Sequence, residues 1–121
     1  MDRLIAFIAT AKPYESRAFY RDVVGLDLIE EAEFSIVLAS GETMLRIQKV
    51  AEVEPGTDTA LGWAVESIDV RIAELTERGV RFERFEGATT DDPVWVAPDD
   101  TKVAWFRDPD GNLLSLTQFA K

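Results

Sequence analysis

Hydrophobic and polar positions follow two different periods in the first part of the chain. Leu4 to Ala9 is a mostly apolar run with the length of a strand. Tyr14 to Val24, which follows Pro13, places apolar side chains at helical spacing and so predicts a helix. Gly25 can adopt the left-handed conformation that ends a helix, and Leu26 to Ile29 is again extended in character. The pattern therefore predicts a strand, a helix and a second strand.

Two more strands complete this half of the chain. Phe34 to Ala39 and Thr43 to Gln48 flank Ser40-Gly41-Glu42, whose composition is that of a hairpin turn. Residues 51–59 contain Pro55-Gly56 and several polar side chains, which is typical of a surface linker. The first half is therefore predicted to be a βαβββ module that ends near residue 50.

The same order of elements begins again after the linker. Leu61 to Glu66 predicts a strand, Ser67 is suited to cap the helix that follows, and Gly79 is suited to end it. Val80 to Phe85 is predicted to be the next strand. Lys102 to Arg107 and Leu113 to Gln118 are predicted to form the last strand pair, while Val94-Trp95-Val96 lies between two polar, turn-rich loops. The second half is therefore a second βαβββ module, related to the first by structure rather than by identical residues.

Together these elements predict an α+β fold of two βαβββ modules. The curved mixed sheets are expected to form a cavity, with one helix on the outer face of each sheet. One domain is expected over residues 1–121, with a first module at about 1–50, a linker at 51–59 and a second module at about 60–121. A ferredoxin-like domain is the main structural alternative, but it has fewer strands than this pattern predicts.

Composition narrows the range of partners. The 121 residues include 13 basic and 23 acidic side chains, a formal net charge of −10, which disfavours binding to nucleic acid or anionic lipid. The absence of cysteine excludes disulfides and thiolate metal sites, and it fits a reducing compartment. No apolar run approaches the roughly 20 residues of a membrane span. We therefore expect a cytoplasmic protein that binds neither nucleic acid nor membrane.

Two motifs carry a resemblance to a known family. They are the segment from Ser16 to Leu26 (SRAFYRDVVGL) and the segment from Phe106 to Asn112 (FRDPDGN). In this order and at this spacing, the chain resembles the vicinal oxygen chelate superfamily of glyoxalase I, extradiol dioxygenases, fosfomycin-resistance enzymes and bleomycin-resistance proteins. The resemblance covers nearly the whole chain. It implies the paired βαβββ fold, a small-molecule ligand and a homodimer.

The resemblance also implies where a metal would bind. Enzymes of this family hold a divalent ion with side chains from four strands, and the corresponding positions here are Ile5, Ala60, Ser115 and, within one residue, Arg46. None of these side chains is a suitable ligand, and the chain has no histidine. An oxygen-only site for a hard cation remains conceivable, although the carboxylates lie mainly in predicted loops and helices. We expect no metal and no cofactor, as in the bleomycin-resistance-like branch.

Strand alternation predicts which side chains face the cavity, because residues two apart on a strand share a face. With Ser115 taken as facing inward, the predicted ligand-binding residues are Ile5, Phe7, Arg46, Gln48, Trp95, Trp105, Arg107 and Ser115. Phe7 and Trp105 are candidates for stacking on an aromatic ligand. For Trp95 and Trp105, an ordinary core position is an equally good alternative. This composition suits a small organic ligand.

Charged residues near the predicted cavity leave two alternatives open. Arg46 and Arg107 need an anionic or carbonyl partner if they face inward, and that partner is either the ligand or an internal carboxylate such as Asp108 or Glu42. Asp108-Pro109-Asp110-Gly111 is interpreted as turn chemistry rather than as a catalytic pair of carboxylates.

Two functions of different classes fit these features. The first is a metal-free binding protein that sequesters a small aromatic or amphipathic ligand, with antibiotic resistance as the implied role. The alternative is a glyoxalase-like enzyme of the lyase, isomerase or dioxygenase class, in which an arginine stabilises an oxyanion and Asp108 or Glu66 acts as base. The sequence assigns no catalytic residue. A buried carboxyl group beside those arginines, with a raised pKa, would favour the enzyme.

Overall fold

The computed structural model describes residues 2–121 and contains strands and helices in the predicted order. The strands are β1 (Ile5–Thr10), β2 (Asp27–Glu31), β3 (Ser35–Ser40), β4 (Thr43–Lys49), β5 (Leu61–Ala64), β6 (Trp95–Val96), β7 (Lys102–Arg107) and β8 (Leu113–Gln118). The helices are α1 (Pro13–Ala18), which continues as a π-helical segment at Phe19–Val24, and α2 (Ile68–Glu77). This order confirms the predicted α+β fold class, with one βαβββ pattern in each half.

The chain divides into two compact units inside the predicted linker, between Pro55 and Gly56. The first unit consists of the residues up to Pro55 together with Asp108–Gly111, and the second consists of Gly56–Arg107 and Asn112–Lys121. Each unit contains one four-stranded sheet. A short turn from late in the chain therefore belongs to the first unit, which the hydrophobic pattern did not predict.

The sheet of the first unit has the strand order β1-β4-β3-β2. β1 is parallel to β4, and the other neighbours are antiparallel. Ile36 and Leu38 on β3 and Leu45 and Ile47 on β4 are buried, at most 3% exposed. Because side chains two apart share a face, these residues form one apolar side of the sheet. On the opposite side Val37 is buried, but Ile5, Phe7 and Gln48 are exposed, and we call this side the open face.

The helices begin and end where the sequence indicated. Pro13 occupies the first turn of α1, where its missing N–H leaves no hydrogen bond unmade, and the helical segment ends at Gly25 with φ at 92°. Tyr20 in this segment is fully buried. Ser67 caps α2 by accepting a hydrogen bond from the backbone N of Val70 at 3.4 Å. Within residues 2–121, no helix is both long and apolar enough to cross a bilayer.

The sheet of the second unit has the equivalent order β5-β8-β7-β6, with β5 parallel to β8. Phe106 on β7 and Leu114 and Leu116 on β8 are at most 2% exposed and form its buried side. α2 contacts both of these strands, and its Ile68 and Leu75 are buried. The apolar stripe of α2, at helical spacing, therefore packs with the apolar face of β7 and β8, on which alternate residues are buried.

One predicted strand is wrong. Val80 to Phe85 forms no strand among residues 2–121, although the backbone N of Glu83 donates a hydrogen bond to the O of Trp105 at 2.7 Å. Phe82 packs on Phe106 with ring centroids 5.3 Å apart. The alternation of apolar residues arises here from a loop that buries some of its side chains, and periodicity alone does not distinguish such a loop from a strand.

The outer edge of β7 is instead paired by β6. Trp95 lies opposite Val103, and Val96 lies opposite Lys102, in antiparallel register. The sequence pattern had placed Val94-Trp95-Val96 only between two polar loops, with no strand predicted there. The second sheet therefore has four strands as predicted, but its fourth strand comes from a later part of the chain.

Candidate functional site

The four predicted site residues of the first unit share the open face of its sheet. Ile5 and Phe7 on β1 lie opposite Met44 and Arg46 on β4, and Gln48 follows two residues further along β4. Ile5 and Phe7 are 41% and 56% exposed, and Gln48 is also exposed. The structure therefore brings these residues together on a surface with apolar side chains, one guanidinium and one amide.

Arg46 is half-buried at the centre of this face. Its Nη2 donates a hydrogen bond to Oγ of Ser35 at 3.4 Å, which is near the upper limit for such a bond. Among residues 2–121, no carboxylate lies at ion-pair distance from Arg46. The internal partners suggested by the sequence, Asp108 and Glu42, are therefore wrong for Arg46.

Three predicted site residues of the second unit also meet on one face. Trp105 on β7 lies opposite Ser115 on β8, and the ring centroids of Trp105 and Trp95 are 6.3 Å apart with a tilt of 43°. Gly62 on β5 lies on the other side of Ser115, and a Cβ at this glycine would come within 2.7 Å of the Ser115 Oγ. The glycine therefore makes room for the buried hydroxyl beside the two indoles.

Arg107 lies at the end of β7 and is paired. Its Nε donates to Oε2 of Glu83 at 2.8 Å, and the two side chains are 37% and 41% exposed. An ion pair this exposed contributes about 0–1 kcal/mol to stability. The alternative of an internal carboxylate is therefore right for Arg107, with Glu83 as the partner, a residue that the sequence did not single out.

A cleft of about 400 Å³ opens beside Trp105 in the second unit. Its walls are residues 57–59, residues 83–86, Trp105 and Leu113. Trp105 and Phe85 give it aromatic surface, while Asp58, Glu83 and Glu86 make its rim acidic and Arg84 adds one positive charge. Residues 83–86 begin in the segment that was predicted to be a strand, so the hydrophobic pattern gave no sign of a cleft.

The predicted turn chemistry of Asp108-Pro109-Asp110-Gly111 is confirmed. The backbone N of Asp110 donates to Oδ1 of Asp108 at 2.9 Å, and Gly111 has φ at 87°. Oδ2 of Asp108 accepts a hydrogen bond from the Tyr20 hydroxyl at 2.7 Å. Burial, and then the Asp108 carboxylate, raise the pKa of Tyr20 and keep its phenol protonated. Asp108 therefore holds the turn and the buried tyrosine together.

Asp110 connects the same turn to the start of the first module. Its Oδ1 accepts from the backbone N of Ala11 at 2.8 Å, and its Oδ2 accepts from the hydroxyls of Thr10 and Ser16. Thr10 and Ser16 are fully buried. The carboxylates of this motif therefore satisfy buried donors. Glu66, the other base considered from sequence, is exposed.

The donor set does not fit the metal that the family's enzymes bind. Ile5 and Ala60 have hydrocarbon side chains, Arg46 is cationic, and Ser115 offers a single hydroxyl. The chain has no histidine or cysteine, and residues 2–121 contain no group of three carboxylates arranged to hold an ion. This set of side chains therefore does not form the metal site of the family's enzymes.

The fold and these motifs agree with a family model. The model of the Glyoxalase/Bleomycin resistance protein/Dioxygenase superfamily matches residues 4–116. The chain belongs to this superfamily, as the two motifs had indicated.

Individual relatives support the same conclusion. The protein YraH of Bacillus subtilis (strain 168) is 33% identical over 117 residues, which cover 84% of this chain and 86% of YraH. Lactoylglutathione lyase from Agrobacterium tumefaciens has a TM-score of 0.75 at 14% identity, with 97% of this chain and 92% of that chain covered. TnmS3, an antibiotic binding protein from Streptomyces sp. CB03234, has a TM-score of 0.73 at 24% identity, with 99% and 97% covered. At these identities the two solved structures show the fold alone.

Proposed function

We propose that this chain is a metal-free protein that binds a small aromatic or amphipathic molecule in the cleft beside Trp105. One observation carries the proposal, namely an open cleft with an indole on its wall and a second indole, Trp95, 6.3 Å away. Its volume of about 400 Å³ is within the range typical of small-molecule sites. Aromatic side chains bind planar ligands by stacking and by burial of apolar area.

The charges around the cleft favour a ligand with cationic character. Glu83 is paired with Arg107, and among the other charges on the walls Asp58 and Glu86 outnumber Arg84; the net charge of the chain is −10. A cation placed over an indole gains about 0.5–2 kcal/mol from the ring quadrupole. TnmS3 shares the fold and is an antibiotic binding protein, so we extend the proposal to sequestration of a cationic aromatic antibiotic by affinity alone.

Tryptophan emission tests the proposal, because Trp63, Trp95 and Trp105 all belong to the second unit. Titration with a panel of cationic aromatic antibiotics, bleomycin included, is expected to give a saturable change in emission for at least one compound. Trp105→Leu is expected to weaken that binding by at least about tenfold, because the stacking surface is removed. Trp63→Phe, a change on the helix side of β5, is the matched control and leaves the affinity unchanged.

Two results would contradict the proposal. One is the absence of any saturable response across the panel. The other is an unchanged affinity in Trp105→Leu, which would place the ligand elsewhere.

A second candidate function rests on the ion pair between Arg107 and Glu83, of which Glu83 lies on the wall of this cleft. Glu83 and Arg107 present a carboxylate and a guanidinium side by side, which are the base and the oxyanion-stabilising group of a lyase or isomerase that needs no metal. Lactoylglutathione lyase from Agrobacterium tumefaciens shares the fold. If the chain is such an enzyme, it converts the adduct of methylglyoxal and glutathione faster than buffer does, and Glu83→Gln lowers kcat/KM. A rate equal to buffer excludes this activity.

Three further predictions accompany the proposed function. We expect a homodimer, a cytoplasmic location, and one cooperative domain over the whole chain. Sedimentation velocity tests the first, fractionation of the native host tests the second, and a single coincident unfolding transition by far-UV circular dichroism and tryptophan emission tests the third.

A further inference from the structure

The ion pair between Glu83 and Arg107 lies at the border of the cleft beside Trp105. Glu83 belongs to the wall of this cleft. Arg107 is next to two other wall residues, because it follows Trp105 by two positions on β7 and lies opposite Leu113 of β8. Arg107 and Trp105 therefore share one face of the sheet, and the ion pair connects the cleft wall to the end of β7.

The backbone of Glu83 is fixed, whereas its side chain is free to rotate. The backbone N donates to the O of Trp105 at 2.7 Å, which holds this residue against β7. The carboxylate lies 2.8 Å from Nε of Arg107, and the side chains of Glu83 and Arg107 are 41% and 37% exposed. Water and salt compete for both charges of such an exposed pair, so it is weak. Glu83 can therefore turn its carboxylate from Arg107 toward the cleft without a movement of the backbone.

The other charges of the cleft favour a cation as the group that competes with Arg107. Asp58 and Glu86 on the walls are in no ion pair within residues 2–121. Arg84, a basic residue of the walls, donates from Nη2 to the O of Ala88 at 3.2 Å, within its own loop. A cationic group in the cleft is therefore attracted by several carboxylates, of which the one on Glu83 is already paired.

We propose that the Glu83–Arg107 ion pair is an exchangeable internal contact that selects the ligands of the cleft by charge. This inference rests on the function proposed above. A neutral aromatic ligand stacks on Trp105 and leaves the ion pair intact. A ligand that also has an ammonium group takes the carboxylate of Glu83, and the guanidinium of Arg107 turns to solvent. Arg107 is thus an internal competitor that lowers the affinity for cationic ligands without touching them.

The experiment compares two probes of similar shape, 2-naphthylmethylamine and the neutral 2-naphthylmethanol. Each is titrated into the full chain near pH 7, where a primary amine is protonated. Calorimetry gives Kd, and ¹H–¹⁵N NMR signals of residues 83–86 and Trp105 locate the site. Arg107→Gln is expected to bind the amine about three- to fivefold more tightly than the parent, which is the range that an exposed ion pair reaches. Its affinity for the alcohol is expected to stay within about twofold of the parent.

A second substitution tests whether Glu83 is the group for which Arg107 competes. In a Glu83→Gln background, Arg107→Gln is expected to change the affinity for the amine by less than about twofold, because no carboxylate is left to release. Arg71→Gln is the matched control. Arg71 pairs with Glu74 on α2 at 3.1 Å, so this change also removes one positive charge and releases one carboxylate, but on the helix side of the sheet. We expect it to leave both affinities unchanged.

Three results would overturn this inference while the probes still bind beside Trp105, so that the proposed function stands. One is an unchanged Kd for the amine in Arg107→Gln. The others are an equal gain from Arg107→Gln in the Glu83→Gln background and an equal gain from Arg71→Gln, because both would show an effect of net charge alone. Absence of binding by both probes also overturns this inference, whereas the antibiotic panel decides the proposed function separately.

Discussion

The two units share an order of elements but differ in how each treats the arginine on its open face. In the first unit, Arg46 has no carboxylate partner among residues 2–121, whereas in the second, Arg107 is 2.8 Å from Glu83. The segment that follows each helix accounts for this difference. β2 is hydrogen-bonded along β3 and keeps Glu30 opposite Val37. The corresponding segment of the second unit forms no strand, and its Glu83 reaches Arg107.

This comparison shows what a regular edge strand does to the charges beside it. Within a ladder, backbone positions are held at fixed strand spacings, and long side chains bridge them selectively: Glu31 of β2 pairs with Lys49 of β4 at 2.9 Å, whereas Glu30 is not at ion-pair distance from Arg46. Outside a ladder, the backbone N of Glu83 donates to the O of Trp105, and the Glu83 side chain pairs with Arg107. The same segment lines the cleft. The same architecture therefore produces one face with an available cation and another with aromatic rings and an acidic rim.

The largest expected effect concerns the donors within the first unit that depend on the carboxylate of Asp110. Asp110→Ala removes the acceptor of the Ala11 N–H and of two buried hydroxyls in the first unit. We expect the free energy of unfolding to fall by about 2–4 kcal/mol, since unsatisfied buried groups cost about 1–3 kcal/mol each. Urea titration measures the change. Asp91→Ala, at an exposed position of the second unit, should stay within about 0.5 kcal/mol of the parent.

A comparable loss for both variants would contradict this. It would mean that the buried donors of the first unit find water or other partners when the carboxylate is absent.

The next effect concerns pH. The pKa of Tyr20 in the folded chain lies above its ordinary value of 10.0, so the stability that this raised pKa represents is complete below about pH 10 and is lost as the pH rises beyond it. Tyr20→Phe is expected to cost about 1–3 kcal/mol near pH 7 and to show a shallower loss of stability above about pH 10. Urea titrations at several pH values measure both. Tyr14→Phe, at a residue that is 70% exposed, is the control.

An identical alkaline slope in Tyr20→Phe and in the parent would show that other groups cause the alkaline loss. The raised pKa of the buried Tyr20 phenol would then not explain how the stability of the chain falls at alkaline pH.

The smallest effect on stability comes from placing a carboxylate beside Arg46, as Glu83 lies beside Arg107 in the second unit. Phe7→Glu places a carboxylate directly opposite Arg46, in the register of β1 and β4. Because Phe7 is 56% exposed, we expect the free energy of unfolding to change by less than about 1 kcal/mol. Urea titration measures the change, and Phe7→Gln separates loss of the ring from gain of the charge. Equal changes in the two variants would show that the new carboxylate gains nothing from Arg46.

Features with a local signal were predictable from the sequence. Gly25 and Gly79 were expected to end the helices, and both have positive φ, 92° and 95°. The hairpin around Gly41 and the shared faces of Trp105 and Ser115 also agree, because turn chemistry and strand alternation depend on neighbouring residues alone.

Features that join distant parts of the chain were not predictable in this way. Glu83 and Arg107 are 24 residues apart, and Tyr20 and Asp108 are 88 apart, so no periodicity indicates either pair. The strand wrongly predicted at Val80 to Phe85 has the same cause, because Phe82 of this segment packs on Phe106 of β7 while the segment forms no strand. Tertiary contacts decide between a strand and a loop when the pattern of apolar residues is the same.

The turn Asp108–Gly111 limits how such a protein could be divided. A gene fragment that stops after Pro55 would still encode all four strands of the first sheet, but it would lack the acceptors for the Tyr20 hydroxyl and the Ala11 amide. The two halves have the same order of elements, yet the first unit includes a turn from the second half of the chain. A first half that is exchanged, shortened or fused in tandem therefore needs an equivalent turn to satisfy these donors.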